Sequence, residues 1–570
     1  MKVRTFVAAA VLAAMLPAPL PSAAVAPAAP SAAQIDRLLS SRIKHVFVIY
    51  QENRSFDSEF GTFPGANGVW SPGARGFKQI DPVTQRPVTP FKLTDPDVYY
   101  ESNDRDVQIP AFDGGKMDKF VAAQGKAVLF YEKNATPDQR FSVGAESMYH
   151  IDCDTIPYLW TYAKNFALFD NFFQALRAPS TPSNIEIIAA QNGLTQYARN
   201  RKQYPADEEE PGDPIFADLD PAFGPYEAKH PGKKTQVDQT YANVLLTMQR
   251  KNVKAVKNDT KYVEQDKSVI AKLDGAAIPW RWYEEGYGGE HTGLISHHLA
   301  PQYFGYVAKN RSMVSNMRDL MDFYRDVSHG RLPDRGVFYL KGGSHNVLGL
   351  RPSNPDPYVQ KHYMGDDDHP GYTDSQISQA HVASLVSTIV HSKYWKDSAI
   401  VITWDDLGGF WDHVTPHDFE MCPDGHPCGD GARVPAIVIS PFGKSGAIVH
   451  DFNDQDSVIK FVETVFGLPA LASLPDEKPY LPMGPRDGNT LISNMRGAFD
   501  YDRLRGAKAP LSPSGAFFSW KTIRTMPAPL SCSDIGITPA RAPHGISEAP
   551  PAGFNPRPFE PVPAASATPH

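Results

Sequence analysis

The chain has 570 residues, and large α/β enzymes of this length run as one unit even though about 150 residues per domain would suggest about four domains. Hydrophobic residues at 41% and aromatics at 11% supply a large core, and 21% charged residues exclude a highly charged disordered chain. Lys+Arg at 56 against Asp+Glu at 64 gives a net charge of -8, which argues against a nucleic-acid binder.

The N-terminus reads as an export signal over residues 1–26. Lys2 and Arg4 precede the apolar run FVAAAVLAAML, prolines break it, and small residues follow. Cleavage is expected after Ala24 or Ala26, by the general secretory route because no Arg-Arg pair is present. The expected location is secreted or periplasmic, with residues 25–38 a disordered leader. No apolar run beyond residue 40 is long enough to span a bilayer, so no stable membrane anchor is expected.

KHVFVIY (44–50) is a continuous apolar run of strand length, expected to be covered on both faces. Residues 60–115 are rich in Gly, Pro and Asp and read as irregular. Residues 200–280 are polar, carry DEEEPGD, and read as an insertion. GVFYL (336–340), AIVITW (399–404) and VPAIVIS (434–440) read as further buried strands. Between the first two of these lies an amphipathic helix over Ser375 to His391, capped by Asp374. Strand, helix and strand in that order predict a βαβ crossover, hence an α/β fold with a mostly parallel sheet between helices. The main domain spans about residues 40–500. From about residue 523 the chain turns Pro- and Ala-rich and is expected to end unstructured.

The four cysteines are Cys153, Cys422, Cys428 and Cys532. An even count in an exported chain favours disulfides. CPDGHPC suits a local bridge between Cys422 and Cys428, which would leave Cys153 and Cys532 to close a very long loop. The rival is a zinc site on Cys422, His426 and Cys428, for which no fourth ligand is evident.

Glu52 and Asn53 follow directly on the first strand, and Asp405 and Asp406 directly on the third. Ligands of open α/β sheets bind beyond the carboxyl ends of strands. Three carboxylates and an amide gathered there repel one another unless a hard divalent cation joins them. Taken singly, each pair could equally cap a turn.

RAPSTPSNIEIIAAQNG (177–193) places three hydroxyls and Pro182 at the start of a helical run ending at Gly193. Ser180 would lie just ahead of the helix N-terminus, where backbone N–H groups stabilise an alkoxide and a phosphate. Thr181 and Ser183 are equal claimants, and Ser or Thr before a helix is commonly only a cap. His297, His298, His369 and His413 suit phosphoryl stabilisation and leaving-group protonation. His150 and His345 read as ordinary core or surface residues.

Together these segments resemble the bacterial phospholipase C and acid phosphatase family of phosphoesterases. IKHVFVIYQENRSFDSEFGTFPGANG resembles its opening motif and FDGGKMDKF (112–120) its second block. FALFDNFFQALRAPSTPSN resembles its DNYF…GP(T/S)xPN nucleophile block, and WDDLGGFWDHV (404–414) its WD(D/E)xGGxxDHV block. GARVPAIVISPF and HDFNDQDSVIKFVETVFGL (450–468) resemble the blocks that follow. The likeness covers roughly residues 42–500. It implies an alkaline-phosphatase-like core and one divalent metal ion (Ca, Mg, Mn or Fe) held by Glu52, Asn53, Ser180, Asp405 and Asp406. It also implies Ser180 as nucleophile and His297, His298 and His369 as active-site histidines.

The departures are Ala178 for glycine, Ser183-Asn184 for Asn-Arg, Asp405-Asp406 for Asp-Glu, and no histidine in ESNDRDVQIPA. The last three lean towards the acid phosphatase branch. The implied activity is a secreted, metal-dependent phosphoric ester hydrolase working through phosphoserine. A phospholipase C splitting phosphatidylcholine-type lipids is the nearest alternative. It would take membrane lipid as substrate and need an apolar approach, for which Phe172, Phe173, Tyr303 and Phe304 are candidates. An inactive phosphoesterase scaffold used for binding is the alternative of another class. A sulfatase is disfavoured because no Cys-x-Pro-x-Arg pattern occurs in the nucleophile block.

Overall fold

The structure is a computed structural model that describes residues 29–95, 97–192, 215–218, 278–287, 293–303, 314–473 and 485–560. The segment read as an export signal and most of residues 200–280, read as an insertion, therefore lie outside the described residues, as does Phe304.

An eight-stranded sheet forms the centre. In chain order its strands are β1 (His45–Gln51), β2 (Ala167–Phe169), β3 (Trp280–Glu284), β4 (Met317–Asp319), β5 (Gly336–Lys341), β6 (Ser398–Trp404), β7 (Ala436–Ile439) and β8 (Ala447–Val449). They lie in the order β8-β2-β7-β6-β1-β5-β3-β4. β6, β1, β5, β3 and β4 run parallel. β7 alone is antiparallel to its neighbours β6 and β2. Every residue of β1, β5 and β6 is buried, which is why these segments read as unbroken apolar runs instead of alternating ones.

The helices that cover the sheet fall into two groups. α1 (Ala32–Arg42) and α3 (Ser180–Ala189) both pack on α6 (Asp456–Phe466). α2 (Pro157–Asn165) and α4 (Leu320–Ser328) both pack on α5 (Ser375–Val390). Asp374 caps α5 by accepting from Gln376 N–H, as the sequence predicts.

Two expectations fail for the same physical reason. The stretch 25–38 read as a disordered leader overlaps α1, which is begun by a reciprocal capping box between Ser31 and Gln34 and held by the buried Leu39. The expectation of an unstructured end beyond residue 523 also fails, because residues 524–560 are laid on the domain. Ala540, Glu548 and Pro556 exchange backbone hydrogen bonds with Thr62, Lys92 and Tyr99. Phe554 packs on Phe91 at 5.1 Å. Composition reports local propensity, whereas long-range burial orders both ends.

Both cysteine pairs are disulfides, Cys153–Cys532 and Cys422–Cys428. The second pairing removes the two thiolates that the zinc alternative required.

Candidate active site

β1 and β6 are paired in parallel with Gln51 opposite Trp404. The next residues on each strand, Glu52–Asn53 and Asp405–Asp406, therefore emerge side by side at the carboxyl edge. All four side chains are buried. Asn53 N–H donates to Asp405 Oδ1 at 2.9 Å, and Asp406 N–H donates to the same oxygen at 2.7 Å. Asn53 turns the chain with φ 56°, a left-handed conformation that asparagine tolerates. Gly408, also left-handed at φ 64°, lies so close that a Cβ there would sit 2.2 Å from the Asn53 carbonyl oxygen. The glycine after the acidic pair thus lets the two strand ends close on one another.

α3 brings the hydroxyl. Pro179 is the residue before the helix and Ser180 is its first residue, not the one ahead of it. Pro182 is tolerated because first-turn amides have no intrahelical partner. The helix ends at Ala189, with Ala190 in the left-handed conformation, short of the expected Gly193, which lies outside the described residues. Ser180 Oγ lies 2.9 Å from Glu52 Oε2, 3.4 Å from Asn53 Oδ1 and 3.3 Å from Asp406 Oδ2. Its two rivals face elsewhere. Ser183 Oγ donates to Pro179 O at 3.3 Å and accepts from Gln174 Nε2 at 3.1 Å. Thr181 Oγ1 lies 3.5 Å from His297 O. The Thr181 amide donates to Asp218 Oδ1 at 2.9 Å, so an acidic side chain already occupies the start of the helix.

Charge is the dominant fact of this site. Burial, reinforced by the neighbouring Asp405, drives the Glu52 and Asp406 carboxyls well above their ordinary range. Lys341, at the end of β5, is fully buried and binds Glu52 Oε1, and its ammonium stands 4.8 Å over the Tyr50 ring. Burial works to discharge Lys341, but Glu52 and Asp405 outweigh it and hold the ammonium above its usual value. Asn103 Nδ2 donates to Asp406 Oδ2 at 2.8 Å. Sequence reading missed both residues. Lys341 shares the signal that exposed Glu52, a charge ending an apolar strand, whereas nothing local marks Asn103.

The histidines divide. His298 is buried with Nε2 3.3 Å from Glu52 Oε2, and burial followed by Lys341 holds its pKa well below the usual value. His297 stands edge-on to it at 4.4 Å. His369 is stacked between Tyr100 and Tyr372 at 5.6 and 4.7 Å. Its Nδ1 lies 2.6 Å from the Pro370 carbonyl, so that bond does not involve Nε2. Burial lowers it to about 4. His413 is not part of the site. It lies 2.6 Å from Asp57 Oδ2 and 3.1 Å from Asn67 Oδ1, in a buried network whose cation is Arg433. His150 is a buried core residue set edge-on to Trp70.

The donor set fits a hard cation at the strand ends. Asp405 Oδ2 is buried with no hydrogen-bond partner among the described residues, and the surrounding donors are oxygens of Glu52, Asn53, Asp406 and Ser180. Among the described residues two clusters bring three carboxylate, His or Cys ligand atoms within 4.8 Å; neither is at the strand ends, and both are already satisfied. Asp57, Asp412 and His413 surround the Arg433 guanidinium, and Cys153 and Cys532 are bonded to each other.

Known proteins give the frame for this geometry. Phospholipase C A of Mycobacterium tuberculosis is 24% identical over 499 residues, covering 80% of this chain and 77% of its own. Hemolytic phospholipase C of Pseudomonas aeruginosa is 22% identical over 461 residues, covering 75% of this chain and 53% of its own. A solved protein in the alkaline phosphatase superfamily from Vibrio parahaemolyticus matches 82% of this chain and 79% of its own at 7% identity, with a TM-score of 0.31. That score carries no argument, and the fold class rests on the sheet described above. No helix among the described residues is long and apolar enough to cross a membrane. The phosphoesterase family model matches residues 43–469, and the chain belongs to that family as a phosphoric ester hydrolase.

Proposed function

We propose that the protein is an exported, metal-dependent phosphatase of the acid phosphatase type that works through a phosphoserine on Ser180. The observation that carries this reading is the Ser180 hydroxyl, first in its helix and within hydrogen-bond reach of Glu52, Asn53 and Asp406. A divalent cation held by Glu52, Asn53, Asp405, Asp406 and Ser180 would neutralise the carboxylates and polarise the hydroxyl and a phosphoryl oxygen. Oxygen donors suit calcium, magnesium, manganese or iron.

The chain's own groups do the rest. Glu52 Oε2, 2.9 Å from Ser180 Oγ, is placed to take its proton as the oxygen attacks phosphorus in line. Amides at the start of α3 face the phosphoryl oxygens, in the place now taken by Asp218. His298 stands against Glu52 with His297 edge-on to its ring, and His369 Nε2 passes a proton to the departing alcohol and then accepts one from the hydrolytic water. His369 is neutral when the site holds no substrate, and an arriving phosphate dianion favours its imidazolium.

A phospholipase C reading is favoured by the names of the relatives. The described aromatics offered as its apolar approach do not support it. Phe172, Phe173 and Tyr303 are fully buried in the core.

Ser180→Ala should lower turnover by several orders of magnitude, while Thr181→Ala and Ser183→Ala keep much of it. Acid quenching during turnover, then peptide mapping, should find phosphate on Ser180. Phosphate on Thr181 or Ser183 would overturn the assignment. Parallel assays on p-nitrophenyl phosphate, p-nitrophenylphosphorylcholine and phosphatidylcholine, with and without chelator, decide between the two substrate classes.

A further inference from the structure

Glu52 carries two demands. It is a ligand in the cation site proposed above, and it is the group that satisfies the buried Lys341. Among the described residues Lys341 is the one ammonium or guanidinium ion-paired with Glu52. A divalent cation arriving at Glu52 would stand beside this ammonium, in an interior where like charges repel strongly. The fold supplies a second resting place for the ammonium. β3 and β5 are paired in parallel with Lys341 opposite Glu284, so the two side chains leave the sheet on the same face as neighbours. Glu284 is buried, and its Oε2 accepts from Trp282 Nε1 at 2.7 Å. Its Oε1 is buried and has no hydrogen-bond partner among the described residues. Burial pushes the Glu284 carboxyl up to about 8, and the Trp282 hydrogen bond and the Lys341 charge oppose that rise. Two further carboxylates act on Lys341: Asp405 is itself a ligand in the proposed cation site, and Asp367 has no such vacancy. Its Oδ1 accepts from Thr373 Oγ1 at 3.0 Å and His369 N at 3.1 Å, and its Oδ2 accepts from Tyr372 at 2.8 Å.

We propose that Lys341 is a movable internal counter-ion that holds Glu52 while the carboxylate site lacks a cation and passes to Glu284 Oε1 when one binds. Lys341 is thus a positioning residue, acting on the reaction through Glu52. The Lys341 contact holds Glu52 beside Ser180 in the cation-free protein, and the hand-off gives Glu284 an influence on cation affinity without any contact with the cation. The inference rests on the cation site of the preceding subsection, and the test separates the two.

The measurement is the dissociation constant of manganese(II) for the full-length protein, followed by chelator competition, with circular dichroism confirming each variant's fold. Glu284→Gln removes the charge of the second resting place and should weaken manganese by about tenfold or more. In a Lys341→Met background the same change should have almost no effect, because nothing remains to be handed over. Equal losses in both backgrounds, or none in the first, overturn the hand-off. Should Lys341→Met fail to fold, a crystal structure of the manganese-loaded protein decides alone. Lys341 Nζ against Glu284 supports the proposal, and Nζ still against Glu52 overturns it. Asp405→Asn in the same titration reports on the cation site. Undiminished binding there, or no binding of manganese to the unaltered protein, removes the site and the hand-off together. Lost binding in Asp405→Asn with unchanged binding in Glu284→Gln removes the hand-off alone.

Discussion

His150 shows what burial does to one titrating side chain away from the chemistry. Both its ring nitrogens are buried without a hydrogen-bond partner among the described residues, and burial followed by Lys92 lowers its pKa to about 4. Unfolded, the ring titrates near about 6.5. Between those values the unfolded chain binds the proton and the folded chain does not, so stability is complete above about pH 6.5 and is lost as pH falls towards about 4. This residue alone should make the protein about 2 kcal/mol less stable at pH 4.5 than at pH 7. Urea unfolding of His150→Phe at the two pH values should show that difference removed, and an unchanged difference would exclude His150 as its source. At this scale much of the site was legible. Glu52, Asn53, Asp405 and Asp406 announce themselves as polar residues ending apolar strands. His413 was misplaced because its partners Asp57 and Asn67 are remote in sequence, and only the fold shows that they use up its two nitrogens.

The loop closed by Cys422 and Cys428 belongs to the turn before Ser180 as much as to itself. The two cysteines form a small apolar cluster with Leu176 and Ala178, just before Ser180. Arg177 N–H donates to Cys428 O at 2.8 Å, and Arg105 joins Asp424 of the loop to the Arg177 carbonyl. Removing the bridge by Cys422→Ala and Cys428→Ala should cost about 2 kcal/mol of global stability. The effect on catalysis should be larger in proportion, a fall of about tenfold to a hundredfold in kcat, because under the proposed mechanism a displaced Ser180 hydroxyl misses its line of attack. Steady-state kinetics beside a thermal melt checks this, and a lowered melt with unaltered kcat would reduce the loop to a plain staple. The element scale also shows where sequence reading stops. β1, β5, β6 and α5 were legible from unbroken apolar runs and a capping aspartate. The antiparallel direction of β7 was not, since an apolar run looks the same in either direction. The short β2 and β8 offer three residues each, too few for any period to register.

Across the whole molecule, two segments that look structureless complete each other. Residues 60–115 and 524–560 contain little regular structure, so each leaves backbone groups that its own segment does not satisfy. Lys92 N–H donates to Glu548 O at 2.8 Å, and Tyr99 N–H to Pro556 O at 3.0 Å. Arg557 Nη1 reaches Asp95 Oδ2 at 3.0 Å and Asp97 O at 2.7 Å. The Cys153–Cys532 bridge, spanning 379 residues, fixes the start of this contact. Because the first segment also carries Asn103, which holds Asp406, the C-terminal strap supports the active site at one remove. A chain ending at residue 530, with Cys153→Ser, should therefore fold around an intact central sheet but expose the 90–103 stretch. Hydrogen exchange should show the amides of Lys92 and Tyr99 losing protection by about a hundredfold or more while β1 and β6 keep theirs. Turnover should fall with them as Asn103 loosens. Full protection at Lys92 and Tyr99 in the shortened chain would show that the first segment stands without the strap.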